Sequence, residues 1–195
     1  LISPYFYLFF DFPLFYFNFT KTKTMKIVLL GYMGSGKSTV GKLLAARLNI
    51  PFVDLDDYLE TRLGASIPSI FAEKGEIYFR KKEHEFLQEV LADPNSKVIA
   101  LGGGTPCYSG NMDLVLKQTP LVFYLMLPVP ELVGRLQKEK ATRPLIRDIS
   151  DAELPEFIGK HLFDRRPFYS RAAHTIAIAG KEAAGIAGEI ANLLV

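Results

Sequence analysis

Apolar residues in this chain gather in short unbroken runs set between stretches of helical periodicity. Lys26-Ile-Val-Leu-Leu30, Pro51-Phe-Val53, Val98-Ile-Ala-Leu101, Leu121-Val-Phe-Tyr-Leu-Met-Leu127 and Thr175-Ile-Ala-Ile178 have the length and continuous hydrophobicity of strands buried on both faces. Val40, Leu43, Leu44, Arg47 and Leu48 follow the i, i+3, i+4, i+7, i+8 spacing of a helix laid on a sheet. Further helices are predicted over residues 57–63, 69–74, 76–91, about 111–117, 130–137, 151–170 and 182–194. Ser66-Ile-Pro68 is suited to start one of them, and Ser150-x-x-Glu153 reads as a capping box for another. Strands that alternate with helices predict an α/β fold, a three-layer α/β/α sandwich around a central five-stranded parallel sheet.

The pattern fails over the first 24 residues. Residues 1–19 are crowded with Phe and Tyr, but Pro4, Asp11, Pro13 and Asn18 interrupt them. A spanning helix needs about 20 mostly apolar residues, and a signal peptide needs a basic start and a small-residue cleavage site. Neither pattern is present, and Lys21-Thr-Lys23-Thr leads directly to Met25. We expect a non-native or mis-started extension over residues 1–24, with a membrane-surface anchor as the alternative, and one functional domain over residues 25–195. With 23 Lys and Arg against 21 Asp and Glu, a net charge of +2, the chain has no broad basic footprint for nucleic acid, so anion binding should be local. One cysteine, Cys107, excludes an intrachain disulfide framework and fits a reducing cytoplasm; it reads as a plain structural residue. His84, His161 and His174 lack metal-ligand spacing.

In open parallel sheets, ligands sit beyond the carboxyl ends of the strands. Residues 31–38, 54–57, 102–106 and the segment after Leu127 occupy those positions. Gly31-Tyr-Met-Gly-Ser-Gly-Lys-Ser38 matches GxxxxGK[ST] between a strand and a helix, a loop whose N–H groups cradle a polyphosphate. Gly31, Gly34 and Gly36 supply positive φ, Lys37 reaches the β- and γ-phosphates, and Ser38 ligates Mg²⁺; ATP or GTP is the ligand. A glycine turn that merely joins strand to helix is the bland reading.

Asp54-Leu-Asp56 places two carboxylates at a strand's end, one suited to Mg²⁺ and the other to orienting a hydroxyl. Helix capping is the ordinary alternative for Asp56 and Asp57. Arg80 is a candidate for bidentate carboxylate recognition, although beside Lys81 and Lys82 it reads equally as a surface charge. The run Gly102-Gly-Gly104 either lets substrate approach the backbone or forms a flexible turn. The charged segment from Lys138 to Arg147 resembles a mobile lid that brings a late cation to the transferring group, or a solvated linker.

Taken together, the phosphate loop, Asp54-x-Asp56, Ile70-Phe-x-x-x-Gly75-Glu76-x-x-Phe79-Arg80-x-x-Glu83, Gly102–Gly104, Arg143-Pro-Leu145 and Arg165-x-Pro167-x-Tyr169 resemble the shikimate kinase family, P-loop enzymes of nucleoside-monophosphate-kinase-like fold. The resemblance covers residues 25–195. It implies ATP-dependent phosphorylation of the 3-hydroxyl of shikimate in the pathway to chorismate and the aromatic amino acids, by a cytoplasmic monomer without nucleic-acid or membrane partners. It implies catalytic roles for Lys37, Asp56 and Arg143, and a lid over about residues 138–150. Gly34, Ser35, Gly36, Lys37, Ser38, Thr39, Arg143 and Lys181 would contact ATP. Asp56, Arg80, Gly102, Gly103, Gly104 and Arg165 would hold shikimate, Ser38 and Asp54 would hold Mg²⁺, and Glu83 would support the acceptor-site arginine.

The chain departs from the family's pattern in two places. Leu101 stands where a small hydroxyl residue is common, and Ala179-Gly180-Lys181 lacks the arginine often found beside adenine. Three competing readings remain. A gluconate kinase has no need of Gly102–Gly104 with Arg80 and Arg165, and a GTPase switch would carry NKxD and DxxG motifs that this chain lacks. A catalytically silent ATP-binding module has no chemical need for the full residue set.

Overall fold

The computed structural model describes residues 24–194. The expected extension over residues 1–24 therefore lies, apart from Thr24, outside the described residues. Five strands, β1 (Lys26–Leu30), β2 (Phe52–Asp54), β3 (Lys97–Ala100), β4 (Val122–Met126) and β5 (His174–Ala177), form one sheet in the order β2-β3-β1-β4-β5. All neighbours are parallel, and Val28 of central β1 is in register with Ile99 on one side and Val122 on the other. Helices cover both faces, so Ile27 to Leu30 have no exposed surface; burial of each such side chain stabilises the fold by about 1.5–3 kcal/mol.

Seven α-helices accompany the sheet among the described residues: α1 (Lys37–Leu48), α2 (Leu55–Leu63), α3 (Ile67–Ala92), α4 (Asn111–Gln118), α5 (Val129–Glu139), α6 (Leu154–Tyr169) and α7 (Ala183–Asn192). The layered α/β/α fold with a five-stranded parallel sheet is the one expected. Helix α1 lies so close to β2 that a Cβ on Gly41 would stand 2.3 Å from the Phe52 ring.

Several boundaries differ from expectation for local reasons. The helices predicted over 69–74 and 76–91 run together as α3, and Gly75, at φ 77° and ψ 172°, kinks it at the expected break. Only a residue free of Cβ crowding enters that region readily. Helix α2 starts at Leu55 rather than residue 57 because Asp54, not Asp56 or Asp57, is its cap, accepting from Asp56 N at 3.1 Å. The Ser150–Glu153 box forms, with Glu153 N donating to Ser150 Oγ at 3.2 Å and Ser150 N donating to Glu153 Oε2 at 3.3 Å. Regular helix nevertheless begins only at Leu154, just before Pro155, after a turn over 151–153.

Candidate active site

The phosphate loop has the conformation its glycines predict, with φ of 152° at Gly31, 77° at Gly34 and 85° at Gly36. Lys37 opens α1 under this loop and its Nζ donates to the carbonyls of Gly31 and Tyr32 at 2.9 and 3.1 Å. Burial lowers its pKa to about 8, against the opposing pull of Asp56 and Asp54. Ser38 Oγ donates to Asp54 Oδ2 at 2.5 Å, joining the loop to the end of β2. Ser35 is buried with its hydroxyl unpartnered, facing the underside of the loop, where a Cβ on Gly31 would stand 2.9 Å away.

The glycine run after β3 is a site of close approach rather than a flexible turn. A Cβ on Gly102 would lie 2.6 Å from Asp56 Oδ1, one on Gly103 would lie 3.4 Å from Met33 N of the phosphate loop, and one on Gly104 would lie 3.2 Å from the Arg80 guanidinium. The three glycines thus let one backbone segment abut the candidate base, the donor loop and the candidate carboxylate-binding arginine. Burial, reinforced by Asp54, raises the Asp56 carboxyl to a pKa of about 6.

Arg80 is not a free surface charge. Its guanidinium donates to buried Glu83 Oε2 at 3.0 Å and lies 3.9 Å from the centre of the Tyr108 ring. Arg165, from α6, lies 5.1 Å from the centre of the Tyr32 ring, and Tyr169 OH donates to Gly103 O at 2.5 Å. Burial raises Cys107 to about 11, which suppresses thiolate chemistry and agrees with a structural role.

Two cavities meet over these residues. One of about 420 Å³ is lined by Gly34, Gly36, Lys37, Ser38, Thr39, Asp54, Arg135 and Glu139. The other, of about 270 Å³, is lined by Ile67, Phe71, Phe79, Arg80, Glu83, Gly104, Pro144, Leu145 and Arg165. Met33, Asp56, Gly102, Gly103 and Arg143 line both, so Asp56 stands where a phosphate site opens into a pocket sized for a small metabolite. A larger groove of about 560 Å³ on the outer face of α3 shares Arg80 but contains no phosphate-loop or lid residue.

Arg143 reaches the junction from the segment after α5 and is tied to Glu139, its Nε donating at 2.9 Å. Ile146 is fully buried and anchors this segment, while Leu145 is exposed. Lys181 follows β5, where it pairs with Glu189 at 2.7 Å; it is not among the residues lining the cleft. Arg135 is, donating to Gly34 O at 3.2 Å, and the sequence reading missed it. Its only signal was a cation beside Leu136 on the amphipathic α5, where most cations face solvent.

A model of the shikimate kinase family matches residues 33–195. The chain belongs to this family. The shikimate kinase of Flavobacterium psychrophilum is 45% identical over 169 residues, which cover 87% of this chain and 98% of that protein. The crystal structure of shikimate kinase from Bacteroides thetaiotaomicron superposes with a TM-score of 0.81 at 36% identity, covering 87% of this chain and 98% of that one. Shikimate kinase from Acinetobacter baumannii in complex with shikimate gives a TM-score of 0.79 at 33% identity, with coverage of 88% and 93%. Shikimate kinase membership thus covers the cleft and everything after it, and sets aside the gluconate kinase and GTPase readings.

Proposed function

We propose that this shikimate kinase family member transfers the γ-phosphoryl group of ATP to the 3-hydroxyl of shikimate, giving shikimate 3-phosphate and ADP for the pathway to chorismate and the aromatic amino acids. Residues 25–195 form the catalytic domain and about 138–150 its lid. The observation that carries this reading is the position of Asp56, which lines both the phosphate cleft and the pocket holding Arg80 and Arg165. A hydroxylated carboxylic acid gripped by the two arginines presents a hydroxyl to Asp56 on the side from which the phosphate arrives.

In the transfer, the acceptor oxygen forms a bond to the γ-phosphorus, the bond from that phosphorus to the β–γ bridging oxygen breaks, and the hydroxyl proton passes to Asp56. An Asp56 pKa of about 6 suits a group that takes up this proton late, and phosphoryl transfer demands positioning more than basicity. Lys37 leaves the loop carbonyls to meet the β- and γ-phosphates. Gly34, Ser35, Gly36 and Thr39 contact the donor chiefly through backbone N–H groups at the start of α1. Arg143 turns from Glu139 toward the phosphates as the lid shuts, excluding water that would otherwise hydrolyse ATP.

Mg²⁺ fits the residues present. Ser38 Oγ and Asp54 Oδ2 are hard oxygen donors already 2.5 Å apart, and one carboxylate plus substrate phosphates is the usual way Mg²⁺ is held in kinases. When bound, Mg²⁺ offsets charge on the phosphate oxygens. The proposed enzyme acts as a monomer. No helix among the described residues is long and apolar enough to cross a membrane.

A coupled assay of ADP release with ATP, with and without shikimate and Mg²⁺, tests the reading, with gluconate as the control acceptor. Release that depends on both shikimate and Mg²⁺ is expected; release indifferent to shikimate would sink it.

A further inference from the structure

Arg80 does not hold its position through Glu83 alone. Glu83 is almost completely buried, and its two oxygens have different partners: Oε2 accepts from Arg80 at 3.0 Å, and Oε1 accepts from Thr105 Oγ1 at 2.6 Å. Thr105 has no exposed surface and closes the glycine run, its N–H donating to Gly102 O at 3.1 Å. Its own carbonyl accepts from Nδ2 of fully buried Asn111 at 2.9 Å. That leaves Asn111 Oδ1 to accept from His84 Nδ1 at 2.7 Å, back on α3, which assigns the His84 proton to Nδ1.

The chain Arg80–Glu83–Thr105–Asn111–His84 therefore closes a loop between two walls of the acceptor pocket. One wall is α3, which carries Arg80; the other is the 102–104 backbone, which abuts Asp56. Thr105 is the joint. We infer that Thr105 is a positioning residue for acceptor recognition: its hydroxyl fixes the Glu83 carboxylate, and through it the Arg80 guanidinium, relative to the glycine run. This rests on the reading of shikimate as the acceptor. Deleting the hydroxyl leaves Glu83 Oε1 buried without a donor, so the carboxylate turns to recover a partner and carries Arg80 with it.

Steady-state kinetics on the wild type, Thr105→Val, Thr105→Ser, Arg80→Met and the Arg80→Met/Thr105→Val double variant test the inference. Thr105→Val should raise KM for shikimate about tenfold, the scale of a hydrogen bond to a charged group, while leaving KM for ATP within about twofold. Thr105→Ser, which keeps the hydroxyl, should return KM for shikimate to within about twofold of wild type. Since Thr105 acts through Arg80, Thr105→Val should add almost nothing in the Arg80→Met background. An unchanged KM for shikimate, an equal rise in KM for ATP, or a full tenfold effect without Arg80 overturns the inference. Should Thr105→Val fail to fold, Thr105→Ala deletes the same hydroxyl and is held to the same outcomes. Wild-type enzyme without shikimate-dependent turnover would overturn the acceptor reading itself and this inference with it, whereas normal wild-type kinetics with an indifferent Thr105→Val overturns only the inference.

Discussion

Asp54 ties Ser38 and Asp56 together: its Oδ2 accepts from Ser38 Oγ at 2.5 Å while its Oδ1 accepts from the Asp56 N–H at 3.1 Å. One carboxylate thus joins the phosphate loop to the start of α2. Loss of its charge should weaken metal use before it weakens the fold. We predict that Asp54→Asn raises the Mg²⁺ concentration for half-maximal activity about 10- to 100-fold. Asp54→Ala should also lower stability by about 1 kcal/mol through the lost cap. Mg²⁺ titrations of ADP release and thermal melts separate the two effects; an unshifted titration for Asp54→Asn would refute the metal role.

Arg80 and Arg165 line one small pocket on the acceptor side of Asp56. Arg80→Met and Arg165→Met should each raise KM for shikimate about 10- to 100-fold, the loss of a charge-assisted hydrogen bond, while KM for ATP stays nearly constant. Initial rates with each substrate varied in turn decide the matter. A defect confined to ATP would show that these cations serve the donor instead.

Gly102 touches the candidate base, since a Cβ there would stand 2.6 Å from Asp56 Oδ1. Gly102→Ala should rotate that carboxylate away from the acceptor hydroxyl and lower kcat about 10²-fold, the scale of a small misplacement of reacting groups. Retained thermal stability with lost turnover is the expected pair of results. Wild-type kcat in Gly102→Ala would remove Asp56 from the transfer step.

Asp56 makes stability depend on pH in a fixed direction. Burial, with Asp54 close by, raises its folded pKa from 3.8 to about 6. Between those values the folded state binds more protons than the unfolded state, so this group's contribution to stability falls as pH rises through the interval. Above pH 6 the cost is fully present, about 2 kcal/mol after allowance for partial solvent access. Without nucleotide and with EDTA present, Asp56→Asn should therefore melt about 5 °C higher than wild type at pH 7.5. The difference should vanish near pH 4. A variant that melts below wild type at pH 7.5 would contradict this, and the predicted combination of higher stability and lost kcat would mark a strained site.

The donor half of the site was legible in the sequence because its requirements are local. Positive φ at Gly34 and Gly36, the turn into α1 and the placement of Lys37 and Ser38 all follow from neighbouring residues. The break at Gly75 and the box at Ser150 were legible on the same grounds. Contacts between distant segments were not. Arg135 reaches Gly34 across 101 residues of sequence, Tyr169 reaches Gly103 across 66, and Thr105 reaches Glu83 across 22. Nothing in the residues around Arg135 distinguishes it from a solvated helix cation. Arg80 was ambiguous for the same reason, since Lys81 and Lys82 suggest an exposed face while the deciding partners, Tyr108 and Gly104, come from another loop.

The hydrogen bond from Tyr169 to Gly103 also bears on how the enzyme comes into being. During synthesis the amino-terminal part of a chain emerges first. The donor loop is therefore made first, yet its helix α1 packs mainly on α7, which is made last. A nascent or truncated polypeptide ending before α6 would lack the helix that backs the phosphate loop as well as Arg165 and the clasp on the glycine run. The phosphate loop and the glycine run thus both await the last part of the chain, and neither half of the cleft is finished before the carboxyl-terminal helices have docked.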